Sequence, residues 1–184
     1  MIFTTIDFVV FFVFILAAIA IIKHRKFQHL ILLGGSYYFF YFSSNYLIVL
    51  LIFSTVLDYY LAKMIYNSKE KSTKKILLSI SLIGNLGLLG FFKYTDFAIL
   101  QFNILGNYFD LATAIPYYNL VLPLGISFYT FQTLSYTIDV YRGSLEPSKR
   151  FSEFALFVAF FPQLVAGPIL RAKQFLPQLR EKIQ

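Results

Sequence analysis

Residues 30–57 contain no charged side chain. A soluble fold cannot leave so long a run uncharged, whereas a transmembrane helix needs ~20 consecutive apolar residues. The run is too long for one span and long enough for two. Ser43-Ser44-Asn45 is the one good turn signal inside it, so it divides into helices over 27–42 and 46–65. The rest of the chain agrees with this reading: 58% of residues are hydrophobic, 14% are charged, and the mean hydropathy is +0.68. Soluble domains carry roughly 25% charged residues. The chain is read as an integral membrane protein and its partner as the lipid bilayer.

The net charge of +7 raises the question of nucleic acid. The 16 Lys and Arg residues, however, lie almost entirely in short gaps between apolar runs, which is the pattern of topology-setting loops. No basic face tracks phosphates, and nucleic-acid binding is set aside. No Lys or Arg precedes the first apolar stretch, residues 2–22, so it reads as a retained span and not a secretory signal. Three basic residues (Lys23, Arg25 and Lys26) follow this span, none follows the second, and four (Lys69, Lys71, Lys74 and Lys75) follow the third. This alternation places the N-terminus outside and the basic loops in the cytoplasm, as expected of a multi-pass chain.

Residues 76–92 form the next span, with Gly84, Gly87 and Gly90 offering close helix approach. Residues 97–109 are too short for a span and contain Gln101, Asn103 and Asn107, so they are expected as a separate interfacial or partly buried helix. After an irregular stretch around Pro116, Leu122-Pro123-Leu124-Gly125 opens a helix running to about Tyr141. The last apolar run, 154–170, is interrupted by Pro162 and by Gly167-Pro168. It is flanked on both sides by basic residues: Arg142, Lys149 and Arg150 before, Arg171, Lys173 and Arg180 after. Like flanks and helix breakers point to a re-entrant segment, whose non-helical backbone must be buried in protein or line a watery cavity. With no repeat and no linker, residues 1–184 read as a single membrane domain. It is all-α and polytopic, with about five transmembrane helices, an interfacial helix and a re-entrant segment.

At 100° per residue, Gln132, Ser135, Asp139 and Arg142 fall within about 80° of one another and form a polar stripe. Asp139 and Arg142 are spaced to pair at i,i+3. Either they anchor the cytoplasmic end of the helix, or the stripe lines a path for a polar ligand. Asp58 lies inside the third span. It is expected to meet a backbone group or a basic residue of another helix in a structural role, because Lys63 is five positions away and poorly placed. Arg171, just after the Gly-Pro break, either sets topology or binds phosphate or carboxylate. His24 and His29 sit by a basic turn with no nearby carboxylate in sequence, and neither reads as a catalytic base. There is no cysteine, no catalytic triad, no metal-spaced cluster and no phosphate-loop motif, so neither a catalytic nor a metal residue is assigned. Composition and stripe alone permit a transporter or channel fragment, or a non-catalytic membrane scaffold subunit.

Three long segments narrow the choice: NLGLLGFFKYTDF (85–97), LPLGISFYTFQTLSYTIDVYRG (122–143) and FALFVAFFPQLVAGPILRAKQFLPQL (154–179). Together with SYYFFYF and the Asp-Tyr of the third span, they resemble the membrane-bound O-acyltransferases, in the bacterial alginate O-acetyltransferase branch. The resemblance implies an all-helical fold with a central funnel. It also implies transfer of an acyl group, often acetyl, to hydroxyls of an envelope polysaccharide. The implied donor is acyl-coenzyme A or a relayed acyl carrier, with no resident cofactor. Further membrane or periplasmic subunits are implied as partners. The family's catalytic His belongs to the C-terminal half of its members, and no residue here matches it. The resemblance therefore implies an N-terminal portion, or the product of a truncated gene, that is inactive alone.

Overall fold

Every long apolar run of the sequence becomes helix. The computed structural model describes residues 5–109, 115–167 and 170–179, and among these there is no strand. The helices are α1 (Ile6–Ile21), α2 (Arg25–Ser44), α3 (Ile48–Asn67), α4 (Lys71–Tyr108), α5 (Ile126–Tyr141), α6 (Phe151–Ala159), α7 (Phe161–Ala166) and α8 (Ala172–Gln178). Asn45 separates α2 from α3 with φ 55, a conformation that asparagine tolerates better than most residues, and a short 3-10 turn over Asn45–Leu47 follows. The turn signal in the uncharged run therefore falls where the sequence places it. Gly125, at φ 67, caps the start of α5, and the helix ends at Tyr141 as its motif suggests.

Among the described residues, two helical segments are long and apolar enough to cross a membrane: Arg25–Asn67, which includes the turn, and α4. The stretch 97–109 is not a separate interfacial helix. It continues α4 without a break, giving one helix of 38 residues. The polar residues that argued for a separate element serve another purpose. Asp96 accepts hydrogen bonds from the amides of Tyr118 (3.0 Å) and Leu120 (3.2 Å). Asn103 both accepts from the Ile115 amide and donates to its carbonyl, each at 2.9 Å. Asp96 and Asn103 are seven residues apart, two turns on one face, and together they strap the α4–α5 connection along the helix.

Helices α3, α4 and α5 pack on one another, while α6 packs against α2, α3, α5 and α8. Residues Phe154 through Ala159 of α6 are completely enclosed, which makes α6 the centre of the molecule. The outer faces are the apolar ones: Ile6, Val10 and Phe14 on α1 and Ile76, Ile83 and Phe91 on α4 are all exposed. Polar side chains lie inside instead, among them Ser36, Ser54, Asp58, Ser81, Asn85, Gln132 and Thr133. That inversion is what a lipid solvent demands, because ionisable and amide groups are costly in hydrocarbon and turn inward. Of the three spaced glycines, only Gly84 is close-packed, a Cβ there lying 2.8 Å from Leu57 Cδ2. Gly87 and Gly90 face open space.

Candidate functional site at a broken helix

The last apolar run is broken as its prolines and glycines imply. Phe160 leaves helical geometry with ψ 103, and Pro162 sits in the first turn of α7. In a continuous helix the Phe161 amide would donate to the Phe157 carbonyl and residue 162 to the Val158 carbonyl, but proline has no N–H. The neighbouring helices provide the missing partners. Gln132 Nε2 of α5 donates to the Phe157 carbonyl at 2.6 Å, and the Phe161 amide donates to Ser36 Oγ of α2 at 3.4 Å. Ser36 Oγ in turn donates to the Leu32 carbonyl at 2.7 Å. The ring of Phe161 is fixed by Phe11 (5.4 Å between centroids) and Phe39 (5.7 Å), so α1 and α2 together close over the break. Discontinuous helices whose free backbone groups are met by neighbouring side chains recur at the binding sites of membrane proteins. The second break ends α7 at Gly167. Pro168 lies outside the described residues, as does Arg180.

The five expected path residues are distributed unequally around this break. Gln132 is buried and bonded to it, and Ser135 Oγ donates to the Gln132 carbonyl at 2.8 Å. Asp139 is half-buried near the end of α5, while Arg142 is exposed at its C-cap. The two form no ion pair, although their spacing allows one. The Asp139 carbonyl instead accepts from the amide and hydroxyl of Ser144, each at 3.0 Å, turning the chain away at Gly143. Arg171 is exposed, and its carbonyl caps α8 by accepting from the amides of Gln174 and Phe175.

A second polar group lies between α3, α4 and α5. Asp58 accepts from Ser81 Oγ and from Asn85 Nδ2, the latter at 2.8 Å. Asn85 Oδ1 accepts from Ser54 Oγ and, at 3.4 Å, from Thr133 Oγ1. Asp58 thus meets neutral side chains, not the backbone group or basic residue expected from sequence. Lys63 instead donates to the Tyr59 hydroxyl at 2.6 Å. The sequence carries a signal for this cluster: Ser81 and Asn85 are one turn apart in the span 76–92, and Ser54 and Asp58 are one turn apart in the span before it. Beside it on α5, the Tyr129 hydroxyl is buried with no hydrogen-bond partner among the described residues.

The expectation that the histidines lack a neighbouring carboxylate fails at His29. Glu153 of α6 shares a cavity with it. The two are 124 positions apart in sequence, so only the fold brings them together.

No family model and no solved structure matches the chain. Individual curated proteins do. The peptidoglycan O-acetyltransferase of Helicobacter pylori is 35% identical over 154 residues, covering 70% of this chain and 28% of that protein. A protein of Pseudomonas putida named Probable alginate O-acetylase AlgI is 43% identical over 98 residues, 53% of this chain and 20% of the relative. Its namesake in Pseudomonas syringae pv. tomato is 33% identical over 184 residues, 99% of this chain and 35% of the relative. The chain belongs to the membrane-bound O-acyltransferase family. It spans between 20% and 35% of the length of these relatives. The resemblance drawn from the three sequence segments therefore holds along the chain, and the membrane-bound O-acyltransferase assignment accounts for its all-helical, lipid-facing build.

Proposed function

We propose that this chain is the N-terminal portion of an O-acetyltransferase that esterifies hydroxyls of an envelope polysaccharide. The observation that carries the reading is the 33% identity to an alginate O-acetylase over 99% of the chain. In the reaction the acceptor oxygen forms a bond to the acyl carbon, the donor's bond to that carbon breaks, and a base removes the hydroxyl proton. His24 caps α2 and His29 lies within its second turn, and on this reading the base is supplied from outside these 184 residues. On this reading the chain alone does not turn over.

Within it, the broken helix supports a role in shaping the path by which donor and acceptor meet. Gln132 and Ser135 line its inner part, and Asp139, Arg142 and Arg171 its mouth. The donor is acyl-coenzyme A or a relayed acyl group, and further membrane or periplasmic subunits complete the assembly. The chain crosses the inner membrane about five times with its N-terminus outside, and α6–α7 re-enters from the cytoplasmic face. A cysteine introduced at Gly167 that labels from the outer face refutes the re-entrant placement.

The decisive experiment is a chimera. The matching segment of the Pseudomonas syringae relative is replaced by these 184 residues, and the acetyl-ester content of the exported polysaccharide is measured in a strain lacking the parent gene. Restored acetylation supports the proposal. A chimera that is expressed and inserted but leaves the polysaccharide unacetylated overturns it.

A further inference from the structure

A cavity of about 400 Å³ opens between the first turns of α2 and α6, well away from the break. Arg25, Lys26 and His29 line it from α2, and Lys149, Arg150 and Glu153 from the start of α6. The two groups come from basic stretches that the sequence explains separately as topology charges. The fold stacks them against each other, leaving four cations against one carboxylate. That carboxylate is already engaged, Glu153 Oε1 lying 3.7 Å from Arg150 Nη1. Uncompensated cations crowded around a cavity repel one another, and an anion between them removes that cost.

The cationic side chains of Lys26, Lys149 and Arg150 are exposed, but the backbone that carries the second group is held in place. The Tyr59 hydroxyl donates to the Lys149 carbonyl at 3.2 Å, and the Ser148 amide donates to the Tyr136 hydroxyl at 3.0 Å. Ser148 Oγ donates to the Arg150 carbonyl at 3.1 Å, and Ser148 is completely buried. Both helices begin without a side-chain cap, so the positive ends of their backbone dipoles add to the same field. Arginine matches the oxygens of a phosphate with paired donors, and the volume lies within the ~300–1,000 Å³ of small-ligand sites.

We propose that this cavity is a binding site for a phosphate group, carried either by an anionic phospholipid headgroup or by a soluble phosphate ester. The site does not depend on the acyl-transfer reading.

The test uses the purified 184-residue chain in neutral detergent. Retention of phosphatidylglycerol against phosphatidylcholine is read by native mass spectrometry, and pyrophosphate binding by titration calorimetry. The double variant Arg25→Gln/Lys149→Gln removes one cation from each group. Lys69→Gln/Lys71→Gln removes the same charge from exposed positions elsewhere. The expected result is a loss of affinity of about tenfold in the first variant and less than about twofold in the second. Loss confined to phosphatidylglycerol identifies a headgroup site, and a parallel loss for pyrophosphate identifies a soluble phosphate ester. Should the double variant fail to fold, Lys26→Gln, at an exposed position, is expected to weaken binding about threefold. Equal effects of cavity and control variants, or no binding of either probe, overturn the proposal.

Discussion

Asp58 and Tyr129 are both buried, yet they stand in opposite positions with respect to hydrogen bonding. Asp58 collects donors from Ser81 and Asn85 on the neighbouring helix, so Asp58→Ala leaves those donors unpaired in a closed interior. The expected cost is ~1–3 kcal/mol per stranded group, read as a fall in the thermal unfolding midpoint of the detergent-solubilised chain, with Asp58→Asn milder. Tyr129→Phe removes a hydroxyl that has no partner among the described residues, and is expected to be neutral or to stabilise by about 1 kcal/mol in the same assay. A clear loss there would mean that the hydroxyl is engaged in the native membrane. Arg171 lies exposed at the cap of α8, where its side chain makes no hydrogen bond or ion pair among the described residues. In the active chimera, Arg171→Ala is expected to lower polysaccharide acetylation with expression unchanged, and Gln132→Ala and Asp139→Ala to act in the same direction. Unchanged acetylation reduces Arg171 to a topology charge.

At the level of the helices, the glycines test how tightly each junction is made. A methyl group at Gly35 meets the tip of Ile15 at 2.7 Å, a flexible end that can move aside. At Gly167 it meets the Gln163 Cα at 2.9 Å, which is backbone and cannot. Gly167→Ala is therefore expected to destabilise by ~1–3 kcal/mol, and Gly35→Ala by less than about 1 kcal/mol, in matched thermal melts. The helices themselves were legible because local signals fix them: the turn at Asn45, the Pro-Leu-Gly before α5, the proline in α7. The polar contacts were legible only in part. Gln132 was visible as an oddity on an apolar helix, but its partner is a carbonyl freed by a break in another element, and a carbonyl leaves no mark in sequence. For residues 97–109 the sequence points to a separate interfacial helix because Asn103 resembles an adaptation to an interface. It is the clasp for a segment twelve residues further on. The pairing of the 25–29 and 149–153 groups was hidden for the same reason, since hydrophobic period and charge alternation say which side a loop lies on, not which loop it meets.

The whole molecule has two ends. At one, the Leu124 amide donates to Ser44 Oγ at 2.9 Å, joining the turn after α2 to the entry of α5. At the other lies the cavity of Arg25 and Arg150. These 184 residues contain no cysteine, so single replacements within them report cleanly. Cysteines at Tyr46 and Tyr118 are expected to react with an impermeant maleimide from outside intact cells, and cysteines at Lys69 and Glu146 only after permeabilisation. The reverse pattern inverts the chain in the membrane. Between the two ends runs α4, about 57 Å long for its 38 residues and so far longer than the ~30 Å hydrocarbon layer. Among the described residues, its side-chain hydrogen bonds to α3 and α5 are at Ser81 and Asn85, the latter about 35 Å short of Tyr108. The far half of α4 is still covered beyond that point, with Leu89, Ile99 and Gly106 buried. The strap tied to Asp96 and Asn103 lies along this outer half and leads toward the entry of α5. The excess length thus serves as a rail along which the chain is led back from α4 to α5.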